Sequence, residues 1–276
     1  MKTKPIISII LFAGLITTAL HAQPQSGRPW TVPGLNLEMM PIAAGSLQMG
    51  ANNGDSDEKP IHAVLITKPF WLGKYEVTQG QWKMLMGTTV REQRDKARPD
   101  WSLREQGADF PMYYVSWNEA MEFCQKLTQR ERAAGRLPEG YEYTLPTEAQ
   151  WEYACRAGTD GDYGGSGSLD EMGWHNKNSG NKLHPVGRKQ ANGWGLHDMH
   201  GGMWEWCLDR YDEGYYANSP AADPRATGGA GRVLRGGGWS NAAERCRSAA
   251  RSWDSPGIRY NHTGFRLALT PHSSAL

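Results

Sequence analysis

Asn192-Gly-Trp-Gly-Leu-His-Asp-Met-His-Gly-Gly-Met-Trp-Glu-Trp206 sets two oxygen-bearing side chains, Asp198 and Glu205, on either side of a Gly201-Gly202 turn. Trp194, Trp204 and Trp206 wall that turn. Glycines let a short loop wrap closely with its carbonyls turned inward, and calcium takes about six to eight oxygens from carboxylates and main chain. The stretch reads either as a hard-cation cage or as solvated loop carboxylates beside core-filling tryptophans, because two carboxylates alone are a weak metal signal.

The 276 residues are enough for one large core, and no second composition regime divides them. Twelve tryptophans and 33 glycines against a hydrophobic fraction of 39% favour aromatic packing between many turns, with few long helices or strands. Residues 1–22 read as a signal peptide: Lys2 and Lys4 precede an apolar run from Pro5 to Leu20, and Ala22 is small at the cut. That run is too short for a membrane span, so an exported protein, periplasmic or secreted, is expected. The formal charge of +1 becomes −1 once the two leader lysines leave, and the basic residues form no run. Nucleic acid is thereby disfavoured as a partner, and so is an acidic membrane surface.

Residues 23–36 suit an extended arm, with Pro24, Pro29 and Pro33. Residues 37–270 carry the domain and 271–276 a tail. Leu37 to Gly50 reads as two strands about a Gly45-Ser46 turn, and His62 to Ile66 and Phe70 to Val77 as further strands. Capping boxes at Thr78/Gln81, Ser116/Glu119 and Thr147/Gln150 predict helices from Gln79 to Met86, after Ser116, and from Glu148 to Arg156. In the second of these, Ala120, Phe123, Cys124 and Leu127 share a face. Thr88 to Phe110 reads as surface loop, Asp160 to Gly167 as a Gly-rich loop, and Arg232 to Arg235 and Gly264 to Leu269 as late strands. Cys124, Cys155, Cys207 and Cys246 could form two disulfides, and spacing selects none of the three connectivities.

In this order, Pro41-Ile-Ala-Ala-Gly-Ser-Leu-Gln-Met-Gly50, Tyr75-Glu-Val-Thr78, Val115-Ser-Trp117, Leu145-Pro-Thr-Glu-Ala-Gln-Trp-Glu-Tyr153, Gly195 to Trp206, Arg232-Val-Leu-Arg-Gly-Gly-Gly-Trp239 and Gly264-Phe-Arg266 resemble the formylglycine-generating enzyme family, the sulfatase-modifying factors. The resemblance runs from Leu37 to Leu269 and implies an α+β fold related to C-type lectins, low in regular secondary structure. It also implies a structural calcium ion held by Asp198, Glu205 and the main-chain oxygens of Gly201 and Met203; relatives usually carry Asn where this chain has Gly202. A second calcium site of the family would fall near His175-Asn176, where the sequence departs too far to carry it over.

Formylglycine-generating members hold copper(I) between two thiolates, a soft ion with soft donors. Here Gly238 replaces the serine of the Gly-Gly-Ser turn, and Asn241 stands in the first cysteine's place. Cys246 matches the second catalytic cysteine when counted without a gap. Counted back from Ala249-Ala-Arg-Ser252, it falls near a disulfide position whose partner is Cys155. The second count implies a Cys155–Cys246 bridge, and under either count copper lacks its pair.

His197, Asp198 and His200 cluster in sequence, but an irregular loop does not guarantee convergence on iron. No G-x-S-x-G, P-loop or complete dinucleotide fingerprint occurs. The expectation is an exported domain without formylglycine-generating activity, binding a peptide, protein or small ligand in a groove formed by Trp239, Asn241, Arg245, Arg247, Arg251 and Trp253, since arginines and aromatics are common interface anchors. That segment also resembles the receptor-facing region of variable proteins on this fold. The alternative is an oxidoreductase, either a formylglycine-generating thiol oxidase acting through Cys246 or another metal-dependent oxidation of a protein thiol or small molecule.

Overall fold

Thr78, Thr89, Ser116 and Thr147 each accept a hydrogen bond from the backbone N–H three residues on, and the side chain of that residue returns one. These capping boxes satisfy donors that a helix start leaves orphaned. They open α1 (Gln79–Met86), α2 (Val90–Ala97), α3 (Trp117–Ala133) and α4 (Glu148–Arg156) in a computed structural model that describes residues 22–271. The expected leader, Ala22 apart, and residues 272–276 lie outside the described residues. α1 closes on Gly87 in the left-handed region, as its sequence predicts. The four residues expected on one face of α3 are all fully buried.

α2 corrects the reading of Thr88 to Phe110 as loop. Its sequence, Val-Arg-Glu-Gln-Arg-Asp-Lys-Ala, has no apolar stripe, and only Val90 and Gln93 are buried. Thr89 with Glu92 was the available signal.

Before the helices lie β1 (Trp30–Val32), β2 (Leu37–Ile42), β3 (Gly45–Met49), β4 (His62–Ile66) and β5 (Phe70–Gly73). The expected arm is part of the fold: β1 pairs antiparallel with β2, and Val32 and Leu35 are buried. β2 and β3 do not form a hairpin with each other. β2 joins β1 and β5, while β3 pairs with β4. β6 (Tyr141–Thr144) lies between α3 and α4, and after α4 come a short α5 (Leu169–Met172), β7 (Gly173–Trp174), β8 (His200–Gly201), β9 (Trp204–Tyr211), β10 (Gly231–Arg235), β11 (Arg251–Asp254), β12 (Thr263–Gly264) and β13 (Ala268–Pro271). The single late strand expected over Gly264 to Leu269 is thus two.

One sheet runs β1-β2-β5-β13-β6 and another β11-β10-β9-β12. Against the first, Trp82 of α1 stacks on Phe123 of α3 at 5.7 Å and meets Phe265 edge-on. A second apolar cluster gathers Trp151, Val233, Leu72 and Leu196. The result is the α+β arrangement, with long loops carrying much of the chain. None of the described helices is long and apolar enough to cross a membrane. The second sheet positions the site: β9 carries Trp204 to Trp206, β10 runs into the Gly236 turn, and short parallel β12 pairs Gly264 with Glu205.

Candidate functional site

Between β7 and β9 the backbone turns left-handed at Asp198 (φ 57°), Gly201 (φ 75°) and Gly202 (φ 70°). Such angles suit glycine, and asparagine or aspartate next. Asp198 is buried; its Oδ2 accepts the Gly187 N–H at 2.6 Å, and its Oδ1 has no partner. Glu205 departs from the expected cage. Arg266 grips both of its oxygens at 2.6 Å, and the Trp151 indole donates to Oε2 at 2.9 Å. Glu205 therefore anchors Arg266 more than it offers a free ligand.

The carboxylate that sequence reasoning missed is Glu76, in the Tyr75-Glu-Val-Thr78 motif. It is 2% exposed, with Oε2 buried and unpartnered. A Cβ placed on Gly202 would stand 3.1 Å from its Oε1, so the glycine keeps space open there. Burial, with the charges of Asp198 and Glu205, pushes Glu76 well above the usual carboxylate range; burial also raises Asp198. Three carboxylates thus face one guanidinium, Arg266. A hard cation bound by Asp198 and Glu76 with nearby main-chain oxygens would cancel that excess, so the donor set fits calcium.

On the other side of Gly202, its carbonyl accepts the Trp239 N–H at 2.8 Å, and its own N–H donates to Trp174 O at 2.9 Å. The turn from Gly236 to Trp239 brings Asn241 back, so that Asn241 Oδ1 accepts from Gly238 N and from Trp204 Nε1, both at 2.9 Å. Both partners can only donate, which fixes the amide with its oxygen inward. Beneath the turn, a Cβ on Gly237 (φ 75°) would lie 2.8 Å from Cys246 Sγ, so only glycine fits over that thiol.

The structure does not bring the six expected groove residues together. Trp239 and Asn241 sit at the turn. Arg247 is held bidentately by Glu58, and Arg251 by Glu148, both in the interior. Arg245 is exposed and pairs with Asp55 at 3.1 Å. Trp253 lies on β11, stacked on Tyr211. The resemblance identified residue types in a segment, and buried acids far away in sequence claimed two of the arginines.

The expected Cys155–Cys246 bridge is not formed; all four cysteines are buried thiols. His200 stands beside both, its Nε2 3.5 Å from Cys155 Sγ and its Nδ1 2.8 Å from the Cys246 carbonyl. Burial pushes the Cys155 and Cys246 thiols up to about 12. One buried thiol beside an amide does not make the two-thiolate donor set of copper(I). Nor do the histidines converge: His197 bonds the Lys189 carbonyl, while His200 accepts from Gly164 N. Asp162 takes a hydrogen bond from Asn53. His175 bonds Asp170 at 2.8 Å.

The sulfatase-modifying factor enzyme 1-like domain matches residues 29–271. A formylglycine-generating enzyme of Streptomyces coelicolor is 37% identical over 188 residues, which span 60% of this chain and 55% of that protein. One from Thermomonospora curvata is 28% identical across 84% of this chain and 93% of its own length. Among solved structures, Treponema denticola variable protein 1 is 31% identical with a TM-score of 0.75, covering 88% of this chain and 99% of that one. Fold, motifs and comparisons agree: the chain belongs to the sulfatase-modifying factor enzyme 1-like domain family.

Proposed function

We propose that the protein is an exported, calcium-stabilised domain that binds a peptide, protein or small ligand in the groove beside Trp239 and Asn241, and that it does not generate formylglycine. The observation that carries this reading is Asn241 itself. Where the family resemblance places a thiolate, this chain has an amide whose oxygen is committed to Trp204 and Gly238. That residue serves as a fixed polar floor.

Calcium would be held by Asp198 and Glu76 with the main-chain oxygens of Gly201 and Met203, while Glu205 sets the loop through Arg266. Its contribution is to compensate buried charge and hold the turn on which the groove stands.

The oxidoreductase reading draws on the similarity to formylglycine-generating enzymes. As a thiol oxidase it requires Cys246, which is fully buried and strongly protonated at neutral pH. Incubation with a sulfatase-derived cysteine peptide, copper(I) and oxygen, followed by mass spectrometry, tests the matter. The expected result is an unchanged thiol. Conversion to an aldehyde that disappears in Cys246→Ser overturns the non-catalytic reading.

A further inference from the structure

We propose that the groove recognises a carboxylate, held by the guanidinium of Arg104 and the side-chain amide of Asn241 against the indole of Trp239; this rests on the groove reading above. The arginines of this chain show what is unusual about Arg104. Arg235, Arg247, Arg251 and Arg266 each bond a carboxylate at 3.0 Å or less. Arg104 is half-buried, lies with its guanidinium carbon 4.5 Å from the ring centre of Trp239, and has no ionic or hydrogen-bonding side-chain partner among the described residues. Its Nε is buried and unpaired. The adjacent acid, Glu105, is committed elsewhere, its Oε2 accepting from Leu183 N at 2.8 Å.

The turn that carries Trp239 holds two further donors. Trp239 is 2% exposed, yet its Nε1 has no acceptor. Asn241, two residues on, has its oxygen engaged twice, so its NH₂ is turned away from Trp204 and Gly238. The guanidinium thus lies over the Trp239 indole, and the Asn241 NH₂ belongs to the same turn two residues on. All three are donors, and two of them, Arg104 Nε and Trp239 Nε1, are buried without acceptors, which is costly. The complementary ligand is rich in acceptors. A planar guanidinium fork matches a carboxylate bidentately, and one positive charge beside two neutral donors balances a monoanion better than a phosphate dianion. The Trp239 face holds the guanidinium in place by a cation–π contact, which reduces the ordering cost on binding.

The carboxylate could be an acidic side chain or a chain terminus, and four peptides separate these. They are acetyl-Gly-Glu-Gly-amide against acetyl-Gly-Gln-Gly-amide, and acetyl-Gly-Gly-Gly with a free C-terminus against its amide. Nitrogen-15 NMR of the full protein follows the Trp239 indole N–H and the Asn241 NH₂, with the Trp151 indole, bound to Glu205, as the unmoved reference. The expected result is a saturable shift with one or both acids, none with their neutral counterparts, and affinity lowered about tenfold or more in Arg104→Gln. Equal shifts from the neutral peptides overturn the carboxylate assignment and leave the groove reading standing. Undiminished acid binding in Arg104→Gln overturns the role of Arg104. Silence of both groove signals with all four peptides overturns this inference together with the groove's capacity for short peptides, while the lack of formylglycine formation stands on its own assay.

Discussion

Trp204 donates its indole N–H to Asn241 Oδ1 at 2.9 Å, and Trp204 is only 6% exposed. Removing the acceptor strands that donor, at a cost of about 1–3 kcal/mol. Asn241→Ala should lose about that much stability in urea unfolding, whereas Asn241→Asp, which keeps an acceptor, should lose much less. Equal losses would show that the bond contributes little.

The Asp198–Glu76 pair should respond to calcium. The ion is expected to raise the melting temperature, by the equivalent of about 2.7 kcal/mol when present at roughly a hundred times its dissociation constant. Asp198→Asn should remove the response and Glu76→Gln should weaken it. A calcium-dependent shift that persists in both variants places the ion elsewhere.

Thiol reactivity checks the absence of bridges. With Cys155 and Cys246 pushed up to about 12, only about one in ten thousand of either is thiolate at pH 8. The native protein should resist Ellman's reagent, and the unfolded, never-reduced protein should titrate four thiols. Two thiols instead would restore the Cys155–Cys246 bridge.

Glu119 couples stability to acid. Burial opposes its charge, but Arg259, the Ser116 N–H and Lys96 overcome this and bring its carboxyl down to about 2, from 4.5. A depressed carboxylate stabilises the fold fully above pH 4.5, and the contribution disappears as pH falls toward 2. Glu119→Gln keeps an acceptor for the capping box of α3 while removing the charge that Arg259 and Lys96 bind. It should be less stable than the parent by on the order of 2 kcal/mol at pH 6, with the two converging near pH 2. A pH-independent gap would assign the effect to packing.

The helices were legible because their start signals are local: Thr78, Ser116 and Thr147 each carry the partner three residues on. α2 escaped because its polar face is nearly continuous, leaving only Thr89 and Glu92 to mark it. At the site, Asp198, Gly201 and Gly202 could be read from one stretch. Glu76 could not, since its nearness to Asp198 arises from segments more than a hundred residues apart in the chain. Arg247 and Arg251 looked like groove residues for the same reason. Residue type is local, while the identity of a buried partner depends on the whole fold.

The interior ion pairs bear on how the chain is made. Glu148 meets Arg235 and Arg251, which lie 87 and 103 residues later, and Glu58 meets Arg247, 189 residues later. A chain emerging from the ribosome or a secretion pore presents the acids long before their arginines. An acid without its counter-charge resists burial, so the segments around Glu58 and Glu148 are expected to complete their packing only once the last fifth of the polypeptide has arrived.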